Sequence, residues 1–232
     1  MRTLILGFLL ISSQWMMAQN TPSDSMITQT RSIGSFDKIK AGKGINVTLT
    51  EGKKESLEIR IKNGLPSDVL ADLEGKTLNI RMKTQIAKGL AVSVYVTYVK
   101  LYEISAGMGS TIDGQGSITA DRLVLNAGID SYIDLEVYVK TLQASVTAGR
   151  ITLEGTADSQ EINSSTGGKF FGENLTSKEA FAKASTGGLI QVNATQKLNA
   201  NAAAGGKVQY TGNPAKLEKQ ESFGGKIEEL EE

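Results

Sequence analysis

One phrase is written four times in the second half of this chain: "SSTGGKF" (164–170), "ASTGGLI" (184–190), "AAAGGKV" (202–208) and "SFGGKI" (222–227). Aligning on the apolar residue after the glycines, and on the related turns upstream, gives Ile112, Ile133, Ile151, Phe170, Ile190, Val208 and Ile227. The intervals are 21, 18, 19, 20, 18 and 19 residues. A period near 19 is the spacing of a solenoid and is too short for most helical repeats.

Within each period, apolar and polar residues alternate in short bursts, as in "LVLNAGIDSYIDLEVYVK" (123–140) and "LQASVTAGRITLEGTAD" (142–158). Such bursts, rich in Val, Ile, Leu and Thr and bounded by Gly and Asn, are strands. Each period is therefore read as a coil of two or three strands. The glycines mark corners, where positive φ and close backbone approach favour a residue without Cβ. Stacked coils pair equivalent strands in parallel over a continuous core. The expected fold is all-β: a parallel β-helix, or β-solenoid, with coils of about 19 residues over 101–232, preceded by a less regular β region. Hairpins at similar spacing would instead build a sandwich or barrel.

The less regular region, 32–100, offers candidate strands at 36–41, 44–50, 56–62, 73–83 and 90–99. One helical turn is expected after Pro66, where proline is followed by Ser and Asp. This region either caps the solenoid or begins it. The opening "MRTLILGFLLISSQWMMAQN" places Arg2 before an apolar run and reaches the small residue Ala18. It reads as a signal peptide, Met1–Ala18, cleaved before Gln19, because the run is shorter than a membrane span. A flexible leader is expected over 19–31. The predicted location is periplasm, outer-membrane surface or extracellular space, with no transmembrane segment left after cleavage.

Lys and Arg number 25, as do Asp and Glu. This balance argues against a nucleic-acid partner. The chain has no His and no Cys, and its one Trp is Trp15, inside the signal. Disulfides, most zinc sites, Ser-His-Asp triads and thiolate nucleophiles are thereby excluded.

The run "SFDKIKAGKGINVTLTEGKKESLEI" (35–59) contains the tripeptide Gly44-Ile45-Asn46, and "VSVYVTYVKLYEISAGMGS" (92–110) leads a β burst into a leucine-started repeat. In these features the chain resembles a family of exported bacterial proteins described as auto-transporter adhesins with a head GIN domain. A proline expected before that leucine is absent, and Val99-Lys100 stands there. The resemblance implies an all-β, helix-like fold, an extracytoplasmic location and no known catalytic residues. The GIN residues are expected to be structural.

The repeat alignment places Arg150, Lys169, Leu189, Lys207 and Lys226 immediately before successive aligned apolar positions. Four cations then lie in one stripe at about 4.8 Å spacing, interrupted by Leu189. The stripe fits a linear site for an anionic polysaccharide or a host or cell-surface glycan. It equally fits a solvated face whose charges discourage lateral sheet pairing.

Tyr132, on the face opposite Ile133, is a candidate sugar contact. Asp113, Asp130, Asp134 and Glu136 are candidate carboxylates, with Asp134 and Glu136 on one strand face, but such spacing is common on surface strands. No dense Asp motif calls for calcium. The residues before the glycines, Asn126, Thr147, Ser165-Thr166 and Ser185-Thr186, are expected to form a side-chain ladder at the corners. The reading is a non-enzymatic exported solenoid without cofactor or metal that binds an extracellular polymer. A ligand-free envelope protein and a polysaccharide-acting enzyme are the alternatives, and oligomeric state is left open.

Overall fold

The computed structural model describes residues 26–42, 44–83 and 89–230. The signal Met1–Ala18, the start at Gln19 and the leader up to residue 25 lie outside the described residues. The chain forms a β-solenoid of about seven turns with a more curled region before it. Its strands are β1 (Ile27–Arg31), β2 (Lys38–Gly42), β3 (Asn46–Glu51), β4 (Ser56–Lys62), β5 (Val69–Glu74), β6 (Thr77–Met82) and β7 (Ala91–Tyr98) in the first part. They continue as β8 (Glu103–Ala106), β9 (Thr111–Gln115), β10 (Ile118–Ala127), β11 (Tyr132–Thr147), β12 (Arg150–Ser165) and β13 (Lys169–Ala184). The series ends with β14 (Leu189–Ala203), β15 (Lys207–Thr211), β16 (Lys216–Ser222) and β17 (Lys226–Glu229).

All seven aligned residues, Ile112, Ile133, Ile151, Phe170, Ile190, Val208 and Ile227, are successive partners in the parallel register. All are buried. A long strand such as β12 is bent: its buried residues are Ile151 and Leu153, then Ala157, then Gln160, Ile162 and Ser164. The chain bends at Gly155, whose φ is 113°, and the alternation changes phase between Ala157 and Gln160, so three short runs make one coil. The column before the corner is mostly small: Ala106, Ala127, Val146, Ser164, Ala184 and Ala202 are register partners in turn. Small side chains there let the coil close tightly.

The paired glycines have different tasks. In the second of the four phrases Thr186 (φ 48°) and Gly187 (φ 72°) are both left-handed, and the Gly188 N–H donates to Ser185 O at 2.9 Å. That is a type I′ turn, and its second central position favours glycine. Gly188 has no positive φ, but a Cβ there would stand 2.5 Å from Ser164 O in the previous coil. The first glycine therefore serves the backbone angle and the second serves the stacking distance.

The expected side-chain ladder at the corners is thin. Thr147 Oγ1 and Ser165 Oγ are 3.5 Å apart, beyond a good hydroxyl bond. The corner amides bond instead to the next coil's backbone: Gly167 N–H donates to Thr186 O (3.0 Å) and Gly187 N–H to Ala204 O (3.2 Å).

The first part joins the same stack out of chain order. β2 pairs in parallel with β8 on one side and β6 on the other, and β3 likewise with β9 and β7. Val94 and Val47 thus extend the column that continues with Ile112. Antiparallel strands close this end: β4 pairs with β7, β1 with β4, and β5 with β6.

Two expectations change here. Residues 27–31, read as leader, form edge strand β1, held by Arg31, whose guanidinium donates to Val69 O (2.8 Å) and Pro66 O (2.6 Å). The run read as one strand over 73–83 is split by a hairpin, because Gly75 (φ 61°) turns the chain from β5 into β6. The helical turn after Pro66 is present as a 3₁₀ turn, Pro66–Asp68, with the Asp68 carboxylate accepting from Leu65 N–H at 3.0 Å.

At the other end, Leu217, Lys219 and Glu221 of β16 are register partners of Leu198, Ala200 and Ala202. Lys219 and Glu221 thus stand, exposed, at the positions that buried Ala200 and Ala202 hold one coil earlier. The Lys219 ammonium lies 4.6 Å from the Tyr210 ring centroid, and Glu221 accepts the Ile227 N–H at 2.5 Å. Among the described residues no helix is long and apolar enough to cross a membrane.

Candidate functional site

The stripe predicted from the alignment is a real column. Tyr132, Arg150, Lys169, Leu189, Lys207 and Lys226 follow one another in the parallel register, at the outward position beside the buried aligned residues. Asn46 and Thr111 continue it toward the other end. Neighbours along it are one strand apart, about 4.8 Å.

The column divides into two halves. Lys207 and Lys226 both pair with the Glu228 carboxylate. Glu228 also accepts from Gln209 Nε2 at 2.8 Å, and Gln209 accepts from Gln191 Nε2 at 2.9 Å. Hydrogen bonds from Lys207, Lys226 and Gln209 hold the Glu228 carboxyl down to about 2. Two of the four cations are thus engaged within the protein, and Leu189 separates them from the other two.

Arg150, Lys169 and Tyr132 come together. The Arg150 guanidinium lies 5.9 Å from the Tyr132 ring centroid and 5.3 Å from that of Phe171, which orients it without neutralising it. With Asp130 these three residues line a shallow cleft of about 160 Å³ floored by Gly149 and Gly167. Tyr132 is 47% exposed. Among the described residues Lys169 has no ion-pair partner. The cleft presents two donor groups and an aromatic ring to solvent, a combination suited to one anionic group of a larger chain.

The carboxylates lie on the same outer face, further toward β9. Asp113 and Asp134 are register partners; burial and then the charge of Asp134 push the Asp113 carboxyl up. Glu136 accepts from the Tyr138 hydroxyl at 2.8 Å, and its register partner is Glu154. Among the described residues no three such groups gather into a metal site. The remaining tyrosines are dispersed: Arg60 covers the Tyr95 ring at 4.2 Å, and Tyr98 is buried.

The GIN tripeptide is a corner of the same stack. Gly44 has φ 70° and its N–H donates to Met108 O at 3.1 Å; Ile45 is fully buried and accepts from Thr111 N–H at 3.0 Å. Asn46 begins β3 and is register partner of Thr111. Glu228 and Phe171, which decide which cations are free, went unnoticed in the sequence. The signal for Glu228 was its position two residues after Lys226, on the same face of one strand.

Residues 35–214 match the family described as "Putative auto-transporter adhesin, head GIN domain". No curated protein matches the chain. Several solved structures share the fold. A protein described as a putative adhesin from Bacteroides fragilis is 22% identical with a TM-score of 0.80, covering 90% of this chain and 99% of that one. A putative adhesin from Parabacteroides distasonis is 18% identical at 0.70, covering 90% and 98%. A protein described as a putative lipid binding protein from Parabacteroides distasonis is 20% identical at 0.67, again covering 90% and 98%.

Proposed function

The chain belongs to the family described as "Putative auto-transporter adhesin, head GIN domain", and on that premise we propose that it is an exported, non-enzymatic β-solenoid that adheres to an anionic extracellular polymer. The observation that carries this reading is the adjacency of Arg150 and Lys169 in neighbouring coils, in one cleft with Tyr132. A rigid parallel stack fixes their separation, so little order has to be created on binding. One carboxylate or sulfate of an acidic polysaccharide bridges the two cations, and the polymer runs along the column.

The test uses dextran sulfate as probe and neutral dextran as control, read by biolayer interferometry. Saturable binding to the sulfated polymer that weakens with salt is expected. The double variant R150Q/K169Q lowers affinity roughly tenfold or more, as lost charge-assisted bonds do. Lys207→Gln changes it little, since Glu228 already engages that lysine. Absence of saturable binding, or binding untouched by the double variant, overturns the proposal. A ligand-free envelope role is then the better reading, and the engagement of Lys207 and Lys226 by Glu228 is the observation that favours it.

A further inference from the structure

A second recess lies where the link from β7 to β8 passes the start of β10. Its volume is about 590 Å³, within the range of small-ligand pockets. It shares no residue with the cationic cleft. Its polar lining includes Asp37, Glu51, Tyr98, Lys100, Tyr102 and Arg122.

Two of these groups are incomplete. Asp37 Oδ1 is buried and has no hydrogen-bond partner, although a carboxylate oxygen is an obligate acceptor. Tyr98 is only 4% exposed, and among the described residues its hydroxyl has no partner. Desolvation, then the charge of Glu51, pushes that phenol up to about 12, so it is a neutral donor and acceptor. Buried polar groups are normally satisfied, and the unsatisfied Asp37 Oδ1, lining one recess with the unpaired Tyr98 hydroxyl, asks for an external partner.

The rest of the lining narrows the partner's chemistry. Tyr102 stands at the wall, 37% exposed, with the Lys38 ammonium 5.5 Å and the Arg122 guanidinium 5.9 Å from its centroid. Asp121 at the rim is paired to Lys140 at 2.6 Å. Carboxylates and cations therefore line the recess together. An anion would face Asp37 and Glu51, and an amine would face Lys100 and Arg122. Each hydroxyl of a sugar both donates and accepts, which fits a lining of mixed acceptors and donors.

An extended peptide finds less here, because the backbone is already engaged. Tyr102 N–H donates to Asp37 O (2.7 Å), Gly52 N–H to Tyr98 O (2.8 Å) and Val124 N–H to Tyr102 O (2.9 Å). Strand addition needs such groups free.

We propose that this recess is a binding site for an uncharged pyranose unit, with Asp37 Oδ1 accepting from one sugar hydroxyl and the Tyr98 hydroxyl bonding to another. The site is separate from the cationic column and selects a different chemistry.

The experiment is saturation-transfer NMR on the whole protein with the methyl glycosides of glucose, galactose, mannose and N-acetylglucosamine. At least one is expected to bind saturably and independently of salt. Tyr98→Phe and Asp37→Asn each weaken it roughly tenfold or more at an unchanged urea midpoint, while Lys169→Gln leaves it intact. Arg122→Gln, at the exposed rim, serves as a further variant should a buried substitution disturb folding, and it too weakens binding. Failure of all four sugars, binding that survives these variants, or binding of a random hexapeptide pool in place of any sugar overturns the assignment. Salt and Lys169 separate this outcome from that of the anionic-polymer test.

Discussion

A Cβ added to Gly188 would stand 2.5 Å from the carbonyl oxygen of Ser164, while one added to Gly187 would meet nothing within 4 Å. The two adjacent glycines should thus respond differently to alanine. Gly187→Ala forces a left-handed φ on a residue with a side chain and costs about 1–2 kcal/mol. Gly188→Ala must push the coils apart against a rigid backbone and costs about 3 kcal/mol. Urea unfolding of the two variants compares them; equal losses would refute the division of labour.

Phe170 is the one aromatic in a column otherwise of Ile and Val, and Gly172 makes room for it. A Cβ on Gly172 would lie 2.5 Å from the Phe170 ring. Gly172→Ala is therefore expected to destabilise the protein, and Phe170→Leu in the same chain to relieve part of the loss. A double-mutant cycle should return a coupling of about 1 kcal/mol or more. Simple additivity would mean that the ring moves aside freely.

Glu228 predicts a pH response confined to the last coil. Its carboxyl is held down to about 2, below the ordinary value of about 4.3. A group depressed in the folded state stabilises above its unfolded value, and that contribution fades as pH falls from about 4.3 toward 2. Hydrogen-exchange protection at the Lys226 and Leu230 amides, bonded to Gly206 O and Tyr210 O, should drop in that window and stay flat in Glu228→Gln. The same variant releases Lys207 and Lys226, so its affinity for dextran sulfate should rise.

Tyr98 should ionise late in an alkaline titration followed by ultraviolet absorbance. Its phenol is pushed up to about 12. The raised value means that its neutral form favours the fold, a contribution present below about 10 and lost as pH rises through about 12. Tyr98→Phe should remove the highest-pH component of the curve. Persistence of that component would place it on another residue.

The periodic half was legible because one register governs it: the second residue after each glycine pair is buried, and the residue between it and the pair faces out, coil after coil. Val47 and Val94 belong to the same column, but β4 to β6 intervene between them and residues 48–111 separate Val47 from Ile112, so no period survives there. The hairpin at Gly75 was hidden because Leu73–Lys83 alternates on both sides of the turn.

The cationic column could be read from spacing, whereas its neutralisation by Glu228 depends on side chains reaching across coils. The recess draws Asp37, Glu51, Tyr98, Lys100 and Arg122 from distant parts of the chain, and no local pattern announces such a gathering. The GIN tripeptide shares its role with the glycine pairs, but Gly44, Ile45 and Asn46 spell that corner in other letters.

Stacking β2 and β3 between β6–β7 and β8–β9 sets a timetable for a chain that emerges N-terminus first from a ribosome or a pore. Both neighbours of its first coil lie later in the sequence. Its strand Lys38–Gly42 gains a first partner only when Thr77–Met82 has appeared, and Asn46–Glu51 only with Ala91–Tyr98. Roughly two fifths of the polypeptide must clear the exit before that coil is paired along one side, and about half before it is paired along both.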